Sequence, residues 1–341
     1  MLKQLTVGLN SLNRFYLFFL LVWLGLRLLW FDRFWWLALL NTGAFFLLLP
    51  LVLALPRCVW QRQWRLLAGF GIPLAIALHW YLPLFMPALP FAPAPLSAPV
   101  VAQDGLSLKL MSFNVLWSNQ DYDAIAEVIR AENPDIIGFQ ELRSEHLPQL
   151  QARLGDRYPY SAVHPQPDYH TVGSLSRFPI EQMETFANPP MERGLKLRLR
   201  LGDAPDSPPL MVWVTHLAPS NMFSFGPRHW VAIARDRFAQ RMAQVDELAT
   251  ALQPPVPLVM LCDCNMTQTS QTYVNLARVL RDSFWEAGWG FGHTFVGSGR
   301  LPLQRIDYIW HSSNLRAIEA HVAAGGGSDH LPVVATVQLG A

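Results

Sequence analysis

Eight polar residues stand at or just beyond the ends of apolar segments in the C-terminal part of the chain. They are Asn114, Glu141, His216, Asp263, Asn265, Asp307, Asp329 and His330. A charged side chain at the end of an apolar strand loses hydration, so it needs a metal ion, an opposite charge or a hydrogen bond. Strand ends that meet at one rim would gather carboxylates, carboxamides and imidazoles. Oxygen-rich sets of this kind suit Mg²⁺ or Mn²⁺.

Such a cluster is suited to phosphoester hydrolysis. A phosphate diester is anionic and repels hydroxide, so a divalent cation that offsets charge on a non-bridging oxygen lowers the barrier. An imidazole with a pKa of about 6.5 can accept a proton while another donates one near neutral pH. Each general acid–base step typically contributes about 10²–10⁴-fold. His216 and His330 are therefore the candidates for proton transfer.

Apolar and alternating segments predict the elements that carry these residues. Segments 106–116 and 135–142 are typical of strands entering a core. A helix is predicted over 121–132, with Asp121 or Asp123 as its cap and Asn133 and Pro134 at its end. A longer helix is predicted over 228–252 from its single apolar face. Further strands are predicted over 172–175, 195–201, 211–216, 258–263, 306–310 and 333–339.

Six short motifs carry the same polar residues in a fixed order: MSFNV, GFQE, THLAP, CDCN, RIDYI and SDHLP. Their order and spacing resemble the endonuclease/exonuclease/phosphatase superfamily, which includes DNase I-like nucleases, inositol-polyphosphate phosphatases and neutral sphingomyelinases. The resemblance spans nearly all of residues 106–339. It implies an α/β fold, a four-layer αββα sandwich of two packed mixed sheets flanked by helices. It also implies a Mg²⁺-dependent phosphoric ester hydrolase with its active site at one rim.

The same resemblance implies individual roles for the matched residues. Glu141 in GFQE would be the principal Mg²⁺ ligand, with Asn114 and Asp329 near the metal. His330 in SDHLP would be the general base that activates water, and Asp307 in RIDYI would orient it.

The motifs CDCN and THLAP would complete the site. Asp263 and Asn265 would hold the phosphate and the attacking water, and His216 would act on the leaving-group side. CDCN departs from the GDFN usual in the family, since Cys262 replaces a glycine and Cys264 an aromatic residue. We interpret both cysteines as buried free thiols, because no Cys or His pair stands at zinc-site spacing from them. The cysteines leave the redox compartment open.

Residues 1–86 are typical of a membrane anchor of about three helices. Residues 15–31 form an apolar run in which Arg27 lies near the end, where it can extend to the interface. A second run covers 34–55, and a third, 66–86, is weaker because glycines and prolines interrupt it. Tryptophans around the two loops fit interfacial belts: Trp30, Trp35, Trp36, Trp60 and Trp64.

Basic residues predict how this anchor is oriented. Lysine and arginine are concentrated in the N-terminus and the second loop, whereas the first loop has only Arg33 beside Asp32. The positive-inside rule then places the N-terminus in the cytoplasm. Three spans would put the C-terminal domain on the extracytoplasmic side of the cell (inner) membrane. If the third run does not span, that domain lies inside.

The proline-rich stretch 87–101 predicts an extended tether to a catalytic domain over 102–341. Residues 1–101 carry seven Lys and Arg and one acid, and the remaining residues carry 19 and 24, so the net charges are +6 and −5. A domain that grips nucleic acid without reading its sequence is usually basic. The charge therefore counts against a nucleic-acid partner.

These observations favour a phosphoesterase acting on phosphodiester or pyrophosphate bonds of lipid-linked or phospholipid substrates in the same membrane. The overall plan is also similar to VanJ-type teicoplanin-resistance membrane proteins, which implies a polyprenyl-pyrophosphate or phospholipid substrate by analogy of fold. The main alternative is a Mg²⁺-dependent nuclease acting on DNA or RNA. A non-enzymatic scaffold or sensor is a third, against which the intact set of site residues argues.

Other residues are candidates for substrate contact, each with a structural alternative. His170 faces either the pocket or solvent, and Arg177 either contacts phosphate or braces the fold. Lys196, Arg198 and Arg200 alternate with leucines and form either a solvated edge or a basic face for anionic headgroups. The apolar loop 220–230 either meets lipid or packs under the following helix.

Overall fold

A computed structural model describes residues 2–86, 106–165, 171–186, 191, 193–202, 204, 207–219, 229–252, 256–297 and 302–339 of the chain. The predicted tether and most of loop 220–230 lie outside these residues. The N-terminal helices are α1 (Leu2–Trp30), α2 (Trp35–Thr42), α3 (Ala44–Leu48), α4 (Leu51–Trp60) and α5 (Trp64–Tyr81), followed by a 3₁₀ turn (Leu82–Phe85). The later helices are α6 (Tyr122–Glu132), α7 (His146–Leu154), α8 (Trp230–Ala251), α9 (Gln271–Leu276) and α10 (Ser283–Ala287).

Two of the N-terminal helices are long and apolar enough to cross a membrane, over Asn10–Trp30 and Trp64–Phe85. The predicted second run is not one straight helix, because α2 and the α3–α4 stretch meet at a bend of 67°. Gly43 lies at the break between α2 and α3. The third run, which the sequence predicts to be the weaker one, forms a continuous helix with Pro73 inside it.

The strands form two mixed sheets of six strands each. The first sheet has the order β11 (Leu315–Val322), β12 (Val333–Leu339), β1 (Ser107–Asn114), β2 (Ile136–Leu142), β4 (Thr171–Ser176) and β3 (Tyr160–Val163). The second has the order β5 (Ile180–Thr185), β6 (Gly194–Arg200), β7 (Pro209–His216), β8 (Leu258–Asp263), β10 (Asp307–His311) and β9 (Arg281–Asp282).

Apolar side chains form three clusters, one between the two sheets and one on the outer face of each sheet. Leu110 and Leu261 belong to the core between the two sheets. Residues of α6 and α7 cover the outer face of the first sheet, and residues of α8 and α9 cover the outer face of the second. The predicted four-layer αββα sandwich is confirmed.

The topology explains why the polar strand ends meet at one rim. The central pair β1 and β2 is parallel, with Asn114 beside Gln140, and the central pair β7 and β8 is parallel, with His216 beside Asp263. The carboxyl ends of parallel neighbours lie at the same edge. Antiparallel β10 begins at that edge, since Asp307 pairs with Asp263. Antiparallel β12 also begins there, so the preceding SDH motif enters the same rim.

The helical region packs directly on the two-sheet domain. Arg27 donates through Nη1 to the carbonyl of Thr269 at 2.5 Å, and the Asp32 carboxylate accepts from the backbone N–H of Gln271 at 2.5 Å. The hydroxyl of Thr269 donates to the carbonyl of Asn41 at 2.6 Å. Arg27 is therefore part of this junction, and its predicted extension to the membrane interface stays a prediction.

Candidate active site

His330 and Asp307 form a hydrogen-bonded pair at the rim. The Nδ1 atom of His330 lies 2.9 Å from Oδ2 of Asp307 and 3.1 Å from Oδ1. The same carboxylate accepts from the hydroxyl of Thr294 at 2.6 Å. The neighbouring Arg305 pairs instead with Asp282, at 2.6 Å. Asp307 thus faces His330, as an orienting carboxylate would.

Asp263 lies at the centre of the cluster. Asn114 donates through Nδ2 to its Oδ2 at 2.8 Å, and the backbone N–H of Asn265 donates to its Oδ1 at 3.1 Å. The Nε2 atoms of His216 and His330 lie 3.3 Å and 3.9 Å from Oδ2 of Asp263. One carboxylate therefore lies between the two histidines, which come from opposite sheets.

Glu141 reaches the cluster from a β-bulge. The pairing of β2 with β4 shifts register between Phe139 and Leu142, and Glu141 has a positive φ of 58°. A bulge redirects a side chain, and a positive φ in a non-glycine residue is a strain typical of functional sites. The Oε2 atom of Glu141 accepts from the backbone N–H of Trp117 at 3.3 Å.

Among the described residues, two groups of ligand atoms lie close enough to hold a metal ion. Glu141, His216 and Asp263 form one group, and Asp263, Asp307 and His330 form the other; in each, the ligand atoms lie within 4.8 Å of one another. Beside them, Oδ1 of Asp329 is buried without a hydrogen-bond partner among the described residues. Clustered carboxylates with an unsatisfied buried oxygen fit a divalent cation.

Burial and mutual repulsion alter the pKa values of these groups. Burial raises the pKa of Asp263, and the nearby Asp307 raises it further, while His330 and Asn114 act in the opposite sense. Burial raises the pKa of Asp329 as well. Burial alone would lower the pKa of His330, but Asp307 and Asp263 outweigh it and the pKa rises. The site therefore concentrates more negative charge than its own imidazoles balance.

The candidate substrate-binding residues are placed differently. Arg177 lies beyond the end of β4 where Ser176 pairs with Ile136, at the opposite end of β2 from Glu141. Its guanidinium contacts the carboxylate of Asp135 at 2.9 Å. Arg177 thus braces the fold, which corrects its assignment to substrate binding. His170 lies outside the described residues.

The basic face of β6 is also paired within the fold. Arg198 and Arg200 lie 3.7 Å and 3.3 Å from Glu181, and the ammonium of Lys196 lies 4.2 Å from the ring of Phe186. These contacts favour a structural edge over a headgroup-binding face.

The two cysteines of CDCN form a disulfide, Cys262–Cys264, with both side chains buried. The expectation of free thiols is wrong. The bond joins residues on either side of Asp263, with their Cα atoms 5.2 Å apart. Spacing of two along a strand does not signal a disulfide, so the sequence pattern held no cue for it.

The sequence analysis did not single out Ser328 and Gln140, whose hydrogen bonds hold the site residues and the two sheets in place. Ser328 donates to the carbonyl of Asn114 at 2.7 Å and accepts from the N–H of His330 at 3.1 Å. Gln140, in GFQE, donates to the carbonyl of Leu261 and so links the two sheets at 3.2 Å. Gln140 and Ser328 lie within the motifs GFQE and SDHLP, and this position was the signal in the sequence that could have identified them.

A histidine–aspartate pair facing clustered carboxylates, at the rim of two packed mixed sheets, is an arrangement suited to phosphoester hydrolysis. The sequence profile of the Endonuclease/Exonuclease/phosphatase family matches residues 111–330. The chain therefore belongs to this family, whose members are phosphodiester hydrolases that generally use a divalent metal.

Solved structures share the fold. An endonuclease/exonuclease/phosphatase from Beutenbergia cavernae DSM 12333 has 22% identity and a TM-score of 0.53, covering 69% of this chain and 72% of that one. One from Bacteroides vulgatus has 18% identity and a TM-score of 0.55, covering 69% and 99%. The human Nocturnin catalytic domain with bound sulfate has 20% identity and a TM-score of 0.51, covering 69% and 96%. A search of curated proteins found no match.

Proposed function

We propose that this protein is a membrane-anchored, metal-dependent phosphoesterase that hydrolyses phosphodiester or pyrophosphate bonds of lipid-linked or phospholipid substrates. The observation that carries the proposal is the contact between the helical region and the active-site rim. Thr267, two residues after Asn265, donates to the carbonyl of Thr42 at 3.1 Å. The ring of His293, next to Thr294, lies 5.0 Å from that of Phe45. A phosphate carried by a lipid of the same bilayer would lie close to this rim.

The surface of the helical region supports membrane anchoring. Large apolar side chains point away from its core, and Leu28 is 87% exposed and Leu53 77% exposed. Contiguous apolar surface of this kind is costly in water and favourable in lipid. The resemblance of the overall plan to VanJ-type proteins, an analogy of fold, is the reason why both polyprenyl pyrophosphates and phospholipids are among the candidate substrates.

Contacts at the two ends of the helical region support an odd number of crossings, which together with the positive-inside orientation favours an extracytoplasmic catalytic domain. At one end, Arg57 of α4 donates to Asn10 of α1 at 3.4 Å. At the other end, Arg27 of α1 contacts the catalytic domain, and the carbonyl of Leu84, after α5, accepts from Gly290 at 2.8 Å. Three crossings are consistent with these contacts. The Cys262–Cys264 disulfide also favours an oxidising compartment.

In the proposed reaction, water adds to phosphorus as the bond to the leaving oxygen breaks. His330 in its neutral form accepts the proton of the attacking water, and Asp307 holds the ring through Nδ1. His216 supplies a proton on the leaving-group side, and Asn265 orients the phosphate. A divalent cation, held by Glu141 and Asp329 with Asn114 nearby, would offset negative charge on the phosphate.

The test uses the full-length protein in lipid nanodiscs with Mg²⁺, Mn²⁺ or EDTA. Release of phosphate or headgroup is measured from a panel of phospholipids and polyprenyl pyrophosphates, and nicking of a supercoiled plasmid is measured in parallel. We expect lipid turnover that EDTA abolishes, loss of turnover in His330→Ala with metal binding largely kept, and a higher Mg²⁺ requirement in Glu141→Ala. His321→Ala is the matched control, because this histidine pairs with Glu132 away from the rim.

Two outcomes would overturn the proposal. Plasmid cleavage by the wild type but not by His330→Ala, without lipid turnover, would identify a nuclease. Near wild-type lipid turnover by His330→Ala would refute the assigned role of this histidine. Protease accessibility on intact cells tests the sidedness separately: cleavage of the catalytic domain only after permeabilisation would place it in the cytoplasm.

A further inference from the structure

A strip of aromatic rings runs from the helical region to the active site. We name it the aromatic strip and define it as Trp289, Phe291, His293 and Phe295, which alternate in sequence with glycine and threonine. Phe291 stacks on His293 with ring centroids 5.3 Å apart and planes 17° apart. Trp289 and Phe291 lie 5.5 Å and 5.0 Å from the ring of Phe85.

One end of the aromatic strip is built into the catalytic machinery. The ring of Phe295 lies 5.0 Å from that of His330, and the two residues form a β-bridge. Thr294, between His293 and Phe295, donates to Asp307. The last ring of the strip therefore lies beside the side chain that would activate water.

The other end of the strip continues into the helical region. Phe45, at the bent second run, lies 5.1 Å from Phe291 and 5.0 Å from His293. Tyr81, at the end of α5, lies 6.2 Å from Phe291. The rings thus connect helices whose outer faces are apolar with a site whose chemistry is polar.

The strip leaves apolar surface uncovered in the protein alone. Trp289 is 72% exposed and Phe291 is 38% exposed. Exposed aromatic surface next to an active site commonly marks a ligand-binding groove. Burial lowers the pKa of His293, and the nearby Arg305 lowers it further while the carbonyl of Pro302 raises it. Burial and Arg305 therefore disfavour the charged form of this ring, which suits contact with an apolar ligand.

We propose that the aromatic strip binds the hydrocarbon chain adjacent to the scissile phosphate of a lipid-linked substrate. This inference rests on the proposed function and deepens it, because it makes the chain part of what the enzyme recognises. The phosphate would lie at His330, and the first carbons of the chain would run along Phe295, His293 and Phe291 toward the bilayer. Each methylene buried on the strip should raise kcat/KM about fourfold until the strip is covered.

The experiment compares alkyl pyrophosphates of increasing chain length, below their micelle concentrations, with full-length protein in nanodiscs. The quantity measured is the ratio of kcat/KM for the dodecyl to that for the butyl compound. We expect this ratio to be large in the wild type and to fall by about tenfold in Trp289→Ala, because contact area with the chain is lost. Phe291→Leu is a second variant, which removes the ring that stacks on His293 but keeps an apolar side chain, and it should lower the ratio in the same direction. Because each ratio is taken within one variant, partial unfolding cancels.

Trp60→Ala is the matched control, since Trp60 is 82% exposed at the opposite end of the helical region. Its ratio should equal that of the wild type. A wild type that hydrolyses these compounds with no dependence on chain length, or strip variants with an unchanged ratio, would overturn this inference alone. A wild type that hydrolyses neither these compounds nor the lipid panel would overturn the proposed function and the inference with it.

Discussion

Asp307 has two possible basic partners in the sequence, and the structure separates them. Arg305 stands two residues before it, yet Arg305 is buried against Asp282 and Asp307 turns to His330. Thr294 occupies a further lone pair of the carboxylate. A carboxylate held from two directions fixes both the tautomer and the orientation of its histidine.

We expect Asp307→Asn to lower kcat by about 10²–10⁴-fold. An amide in this position can present an N–H to Nδ1 and so favours the tautomer in which Nε2 carries the proton and cannot accept another. The measurement is steady-state hydrolysis of the best lipid substrate at saturating Mg²⁺, beside His321→Ala as the control. A kcat within threefold of the wild type would mean that Asp307 does not orient His330.

Elements with a clear period were predicted well from the sequence. The helix predicted over 121–132 is observed as Tyr122–Glu132, and Asp121 caps it by accepting from the N–H of Ala124. The strand predicted over 135–142 is observed as Ile136–Leu142. These segments have both an apolar pattern and a terminating signal, and local physics determines their bounds.

Features that depend on tertiary contact were not predictable in this way. The second apolar run reads as one helix by hydropathy, but the break at Gly43 allows Thr42 and Asn41 to meet the catalytic domain. The bulge at Glu141 and the disulfide that joins Cys262 and Cys264 on either side of Asp263 have no counterpart in the hydrophobic period of the sequence. The motif order located the site residues, whereas their supports became visible only in three dimensions.

Gly138 shows how closely the two sheets approach. A Cβ atom there would lie 2.6 Å from the Cβ of Leu261 on the facing sheet. We expect Gly138→Ala to lower the free energy of unfolding by about 1–3 kcal/mol, the usual cost of overpacking a core. Thermal melting of the purified protein measures it. Gly71→Ala, where an added Cβ meets nothing within 4 Å, is the control. Equal melting temperatures for the two variants would contradict the prediction.

Within the residues that the structure describes, a polar network joins the helical region to the two-sheet domain. Asn41 is fully buried, accepts from Nε1 of Trp23 at 2.9 Å and donates to the carboxylate of Asp32 at 2.6 Å. Asp32 and Thr269 carry the network into the segment that follows CDCN. Helices and catalytic domain thus form a continuous packed body across the junction.

We expect Asn41→Ala to destabilise the junction, because it leaves the buried Nε1 of Trp23 without its partner and removes a hydrogen bond from the Asp32 carboxylate. The cost of each such group is about 1–3 kcal/mol. Melting in nanodiscs and the rate of limited proteolysis at residues 267–271 measure it. Leu39→Ala, a more exposed change on the same helix, serves for comparison. Proteolysis no faster than in Leu39→Ala would argue against the network.

The bond between Cys262 and Cys264 has a consequence for how the site is prepared for its substrate. It covalently links the residues on both sides of Asp263, whose carboxylate lies close to both His216 and His330. Fixing the position of a site residue costs conformational entropy, and an enzyme reacts faster when the residue is already fixed before the substrate binds. The β8 pairing already orders Asp263, and the disulfide restricts its backbone further. We expect reduction to leave the fold in place and to widen the range of positions that this carboxylate samples.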